Sequence, residues 1–272
     1  MRKLTMLFAA ALCLLIFPNS LGLAMTEKSP LESLYEQNTM SVLWFQKSGE
    51  AKALYYQGYY LGRLRLDEIL SKKEKGNGLK PAIVLDIDET VLDNSPYHAW
   101  MVQTGKGDPI DWSDWFNRAE AKPLPGALDF LKYAESREVE IFYISNRKEA
   151  QKEATIKNLQ MVGAPKADAK HVLLQQEKEI GKEIRREQVA KDYDIVLLFG
   201  DNLGDFKGFD QLSAVDRIKS VDRINAEFGS KFIVFPNPMY GDWEGAIYDY
   251  DLKKTPAEYM KIRKDNLQSF EP

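Results

Sequence analysis

Two clusters of carboxylates, each launched from the end of an apolar run, carry the chemistry this chain could do. The first is Asp86-Ile87-Asp88-Glu89-Thr90, behind Ala82-Ile83-Val84-Leu85 and continuing to Asn94. The second is Asp201-Asn202-Leu203-Gly204-Asp205-Phe206, behind Ile195 to Phe199 and Gly200. Apolar runs of that length read as strands buried on both faces. Ionised carboxylates at the end of such a strand are costly to desolvate unless a cation or hydrogen-bond donors compensate them. Several aspartates gathered there suit a hard divalent cation, and Mg²⁺ is the usual one beside phosphate.

The elements that must position these clusters follow from periodicity and punctuation. Ser29-Pro30-Leu31-Glu32 reads as a capping box with proline at the first helical position. It predicts a helix from Leu31 through Trp44-Phe45 to a break at Ser48-Gly49. A second helix follows, burying Leu54, Tyr55, Tyr59, Leu66, Ile69 and Leu70, with the tyrosines at 55, 56, 59 and 60 read as packing residues. The loop from Lys72 to Lys80 leads into the first core strand. Beyond the first cluster, Pro96 to Lys122 holds Trp100, Trp112, Trp115 and Phe116, an aromatic insertion placed to cap a site or wall a substrate.

Alternation then resumes: helix Ala127 to Ser136, strand Val139 to Ile144, helix Lys148 to Val162, strand His171 to Leu174 and a helix ending near Asp192. Strands Ile195 to Phe199 and Phe232 to Phe235 and a terminal helix from Pro256 to Leu267 complete the pattern. Alternating strands and helices predict an α/β fold with a parallel sheet and ligands outside the carboxyl ends of its strands.

Composition excludes several alternatives. The 272 residues suffice for one large α/β domain with a helical subdomain, and a hydrophobic content of 44% is ordinary for a globular chain. A net charge of −4 argues against a nucleic-acid polymer as partner. Arg2-Lys3 before the apolar stretch Leu4 to Phe17, with Gly22 and Ala24 following, has the layout of a secretory signal over residues 1–24. The alternative is a retained anchor, the one membrane link expected. The single cysteine, Cys13, lies inside that stretch, so a chain cleaved after Ala24 has no thiol for cysteine-dependent phosphate chemistry and no disulfide. Two histidines, His98 and His171, neither in an Arg-His-Gly context, are too few for a binuclear zinc site. His98 reads as packing near the first cluster, and His171 as structural.

Asp86-x-Asp88-x-Thr90 after a strand resembles the nucleophile motif of the haloacid dehalogenase superfamily of phosphohydrolases. More narrowly, Asp86 to Asn94 together with Gly200-Asp201-Asn202-Leu203-x-Asp205-Phe206 resembles the bacterial class C acid phosphatases, a family of surface lipoproteins and 5′-nucleotidases. Ala10-Ala11-Leu12-Cys13 fits a lipobox poorly. The resemblance implies a Rossmann-like parallel sheet flanked by helices, with a smaller helical cap. Residues 25–80 would contribute to that cap, and residues 81–272 would form the catalytic domain with a cap insertion at about 95–122.

It also implies a secreted or surface Mg²⁺-dependent acid phosphatase acting on small phosphomonoesters, 5′-nucleotides included, through an aspartyl-phosphate. Asp86 would be the nucleophile and Asp88 the general acid, then base. The metal would be held by the Asp86 and Asp201 carboxylates and the Asp88 main-chain carbonyl, with Asp205 behind them orienting its water. Ser145, Asn146 and Lys182, the last in Lys182-Glu183-Ile184-Arg185, would bind phosphate. Ser145 also reads as an N-cap for the helix from Lys148, and Asp205 as a helix cap. Trp112, in Asp111-Trp112-Ser113-Asp114-Trp115, and Tyr240 would sandwich the substrate's flat group. A noncatalytic binding or storage protein on the same scaffold and a phosphotransferase are the rival functions, and a homodimer through the helical parts stays open.

Overall fold

The computed structural model describes residues 28–72, 78–108 and 112–271. The signal segment, Cys13 and Asp111 lie outside the described residues. Among the described residues, no helix is long and apolar enough to cross a membrane.

Three helices open the described residues: α1 (Pro30–Glu36), α2 (Thr39–Lys47) and α3 (Gly49–Lys72). The Ser29 hydroxyl accepts from Glu32 N and the Glu32 carboxylate from Ser29 N, so α1 starts on a complete capping box. The single helix expected up to Ser48 is broken at Gln37-Asn38 into α1 and α2. Next come β1 (Lys80–Leu85), β2 (Leu92–Asp93), α4 (Ser95–Thr104), α5 (Ser113–Arg118), β3 (Lys122–Pro123) and α6 (Ala127–Ser136). Then β4 (Glu140–Lys148), α7 (Lys152–Met161), β5 (Val172–Gln175), α8 (Glu183–Ala190) and β6 (Tyr193–Gly200) follow. The chain ends with α9 (Ala214–Arg223), β7 (Phe232–Val234), α10 (Asp242–Ile247) and α11 (Pro256–Asp265).

Five strands form one parallel sheet in the order β5-β4-β1-β6-β7, and β2 and β3 pair as a separate antiparallel ribbon. Side chains alternate across a strand. Ile83, Leu85, Ile141, Tyr143, Leu197 and Phe199 therefore face one core, shared with α3, α6 and α7. Ala82, Val84, Phe142, Ile144 and Leu198 face the other, against α8 and α9. That is why these strands read as continuous apolar runs. Gly62 lets α3 lie close on the sheet, since a Cβ there would come within 2.5 Å of the Phe199 ring.

The chain winds from β1 outward to β4 and β5, then returns to the other side of β1 with β6 and β7. The strand order therefore reverses between β1 and β6, and ligands of open α/β sheets bind outside such a reversal. Over that edge α1 and α2 pack on α4, and α1 also packs on α11. Tyr35, Tyr97, Met101, Trp112 and Phe116 form a separate small core there. The helix expected from Lys148 begins at Lys152, because β4 stays paired with β5 as far as Lys148–Gln175 and a short 3₁₀ turn intervenes.

Candidate active site

One residue past β1, the Asp86 amide still donates to the Phe199 carbonyl at 2.9 Å, so the first cluster leaves the sheet in register with β6. The Asp86 carboxylate is buried and accepts from the Lys182 ammonium, which also donates to Asp205 at 2.6 Å. Asp201 follows β6 and accepts from Asn237 Nδ2 at 2.8 Å and from the Thr90 hydroxyl at 3.3 Å. Asp205 accepts from the Asn202 amide at 2.9 Å, closing its own 3₁₀ turn as well as meeting Lys182. Glycine is required at position 200: a Cβ there would collide with the Asp205 carboxylate. One carboxylate oxygen from each of Asp86, Asp201 and Asp205 lies within 4.8 Å of the other two.

Burial and the nearby Asp205 and Asp88 push the Asp86 carboxyl up to about 7, and the attraction of Lys182 offsets this only in part. Asp201 is pushed well above its ordinary value by burial, then by Asp205 and Asp86, with Asn237 pulling the other way. Burial alone would lower the Lys182 ammonium, but Asp205 and Asp86 outweigh it and raise it. Negative charge is thus in excess. An all-oxygen donor set with surplus charge suits a hard divalent cation, so these residues fit the metal their pattern implies.

Asp88 points elsewhere. Its Oδ1 accepts from Asn94 Nδ2 at 2.8 Å and Arg147 Nη2 at 2.6 Å, and its Oδ2 from the Ser145 hydroxyl at 3.2 Å. Arg147 is buried, with its guanidinium 3.9 Å from the Phe116 ring centroid. Ser145 is no helix cap; its Oγ instead accepts from the Arg147 amide at 3.1 Å within the continuing strand β4. Lys182 and Arg185 divide their labour. Lys182 meets the carboxylates, while Arg185 reaches back to the Ser145 carbonyl at 2.5 Å and Asn146 Oδ1 at 3.0 Å. Arg147 escaped the sequence reading as a site residue, although it directly follows Ser145-Asn146 at a strand end.

Asp86, Asp88, Ser145, Lys182, Trp112 and Tyr240 all line one cavity of about 900 Å³. Asn146, Asp201 and Asp205 line it too. Trp112 and Tyr240 meet edge to face, centroids 4.8 Å apart and planes at 82°. No slot for a flat group separates them in this arrangement. His98 supplies a third ring, stacked on Tyr240 at 4.7 Å and 15° and edge-on to Trp112 at 4.7 Å. Burial lowers its imidazole pKa to about 3, so the ring is neutral, and its Nε2 has no hydrogen-bond partner among the described residues.

The tyrosines of α3 do more than pack. Tyr55 donates to the Glu89 carbonyl and Tyr59 to the Thr90 carbonyl at 2.6 Å, pinning the loop that carries Asp88. Tyr56 and Tyr60 are exposed. Glu89 is fully buried at a φ of +55°, and its carboxyl is raised well above the ordinary value by burial and Asp88.

Residues 23–243 match the family described as the HAD superfamily, subfamily IIIB (acid phosphatase). The class C acid phosphatase from Bacillus anthracis is 61% identical and superposes with a TM-score of 0.84, covering 88% of this chain and 99% of that one. The same protein with tungstate bound gives 62% identity, a TM-score of 0.84 and the same coverage. Vegetative storage protein 1 of Arabidopsis thaliana is 29% identical over 130 residues, 45% of this chain. The chain spans about half, 47%, of the length of that curated relative. With a parallel sheet whose reversal point presents Asp86 and Asp201, the chain belongs to the class C acid phosphatases of the haloacid dehalogenase superfamily, a family of phosphoric monoester hydrolases.

Proposed function

We propose that the chain is a Mg²⁺-dependent phosphatase that hydrolyses small phosphomonoesters, 5′-nucleotides among them, by way of a phosphoryl group carried on Asp86. The observation that carries this reading is the setting of Asp86: a buried carboxylate at the end of the central strand, against Lys182 and beside Asp201 and Asp205. A relative from Bacillus anthracis that binds tungstate, an oxyanion of phosphate's shape, supports reading the cavity as a phosphate site.

Phosphoryl transfer needs an in-line nucleophile, neutralisation of the phosphate charge and a proton for the departing oxygen. An Asp86 oxygen attacks phosphorus while the P–O ester bond breaks, and the bond's electron pair leaves with the alcohol oxygen. Asp88 gives that oxygen its proton. It then takes a proton from the water that cleaves the Asp86–phosphoryl bond and releases inorganic phosphate. Lys182, Ser145 and Asn146 hold the phosphate, and Arg147 and Asn94 orient Asp88. Asp86, Asp201 and the Asp88 main-chain carbonyl would hold Mg²⁺, with Asp205 behind them. When bound, the cation neutralises charge on the phosphate and on Asp86. Trp112 and Tyr240 offer faces to a base once the rings part. Export to the cell surface or beyond, on the leader ending near Ala24, belongs to the same proposal.

A storage role, suggested by the Arabidopsis likeness, leaves Asp86, Asp88 and Asp201 without use. Phosphate release from nucleotides and sugar phosphates, measured with Mg²⁺ and with EDTA, tests the reading. Release that depends on the metal is expected, and none from any ester would overturn it. Phosphorylated glycerol appearing when glycerol is added would mark a transferase. Replacing Trp112 with alanine should lower kcat/KM for a 5′-nucleotide about 5- to 150-fold while sparing glycerol phosphate. Equal losses on both would make the ring a packing residue.

A further inference from the structure

The Glu89 carboxylate has no role in the chemistry above, yet it is fully buried between the aspartate loop and the aromatic wall. Its backbone sits at a φ of +55°, a left-handed conformation uncommon for a side chain of this size. The acidic groups nearest it, Asp88 and Asp93, repel it further. A buried carboxylate with no cation beside it among the described residues is an expensive way to fill space.

Its contacts account for that cost. One oxygen accepts from the Asn94 main-chain amide at 2.6 Å, and the other accepts from the Tyr240 hydroxyl. Asn94 Nδ2, 3.4 Å from the same Glu89 oxygen, donates to Asp88 Oδ1 at 2.8 Å. The Asn94 amide oxygen in turn accepts from Trp115 Nε1 at 2.8 Å, which fixes which way the amide faces. An unbroken set of hydrogen bonds therefore runs from Tyr240, in the cavity wall, through Glu89 and Asn94 to Asp88.

We propose that Glu89 is a positioning residue for Asp88, holding Asn94 in place through its tie to Tyr240, so that Tyr240 acts on proton delivery to the leaving group as well as on substrate binding. The inference rests on the reading of Asp88 as the general acid. Asp88 Oδ1 accepts from both Arg147 and Asn94, and the Ser145 hydroxyl holds its Oδ2. Loosening Asn94 leaves Arg147 and Ser145 alone to set its direction, so the carboxyl is less firmly aimed at the departing oxygen. An alkyl ester, whose leaving oxygen needs the proton, feels this. An aryl ester with a good leaving group does not.

Tyr240→Phe removes only the hydroxyl and keeps the ring. It should lower kcat for glycerol phosphate about 10-fold, on the order of one buried hydrogen bond. For p-nitrophenyl phosphate kcat should change less than about twofold, with KM nearly unchanged for both esters. Glu89→Gln should show the same split, and adding Tyr240→Phe to it should cost nothing more, because both break one chain. Equal losses on the two esters, a change in KM alone, or additive effects in the double variant would overturn the relay. If Glu89→Gln does not fold, Tyr240→Phe decides alone. Asp88→Asn is the reference: without an ester-dependent loss in that variant, the general-acid reading fails whatever Tyr240 does.

Discussion

Opposite ends of one sheet treat buried carboxylates in opposite ways. At the carboxyl ends of β1 and β6, Asp86, Asp201 and Asp205 crowd together and the Lys182 ammonium serves two of them. At the amino ends of β1 and β4, Glu140 is alone among partners. Lys80 donates to it at 2.7 Å, His171 Nε2 lies 2.8 Å away and Lys166 approaches to 3.5 Å. Burial by itself would raise both sets. At Glu140 the partners win and draw the carboxyl down to about 2, whereas at Asp86 burial and repulsion win and push it up to about 7. The lesson lies in the balance of charge. A buried carboxylate with cations to spare ties strands together, and one short of cations is ready to take a metal, a phosphoryl group or a proton.

That contrast can be broken at several points. The largest effect should come from Asp86→Asn, which replaces the proposed nucleophile with an amide. Phosphate release should fall on the order of 10³-fold or more, and retention of most activity would remove Asp86 from the mechanism. Next in size is the response to Mg²⁺. Thermal unfolding with and without the ion should show a stabilisation of about 2.7 kcal/mol at a hundredfold excess over its Kd. Asp201→Asn should abolish most of it, and an unchanged titration in that variant would take Asp201 out of the metal site.

The amino-end cluster should answer in stability alone. Glu140→Gln should cost roughly 2 kcal/mol at neutral pH in denaturant unfolding, with turnover unaffected. Because the folded carboxyl is depressed to about 2, its contribution is complete above the unfolded value of about 4.3 and is lost as pH falls through about 2. A gap between wild type and variant that stays constant down to pH 2 would contradict the ion-pair account. Metal-free protein gives the sharpest test. In EDTA, Asp86 raised from 3.8 to about 7 means the folded state holds the extra proton between those values, so stability falls as pH rises across that range. Asp86→Asn should flatten this slope and raise Tm at pH 7. A lower Tm instead would mean that its pairing with Lys182 outweighs the repulsion.

Much of this was legible before any fold was known. The strands ending in Asp86, Ser145 and Asp201 could be read because a short, unbroken apolar run needs cover on both faces, and a carboxylate or hydroxyl at its end stands out. The capping box at Ser29 could be read for the same local reason. The break at Gln37-Asn38 and the extension of β4 to Lys148 could not, since both depend on what the segment packs against. Likewise the roles of Glu89, Arg147 and His98 appear only in three dimensions: in the sequence Glu89 is one more member of the first carboxylate cluster, Arg147 the residue after Ser145-Asn146, and His98 a packing residue.

The order of strands and helices and the two carboxylate clusters are written in short-range pattern and periodicity, whereas Lys182 is marked only by a family resemblance in its Lys-x-x-Arg context. Which charges meet is a matter of the folded chain. Lys182 lies 96 residues from Asp86, and Tyr240 lies 151 from Glu89. Their encounter follows from the reversal of strand order at β1 and β6 and from the helices that close over that edge. Whether a buried carboxyl ends up near 2 or near 7 is set by partners that far along the chain, because electrostatic energy depends on separation in space and on exclusion of water.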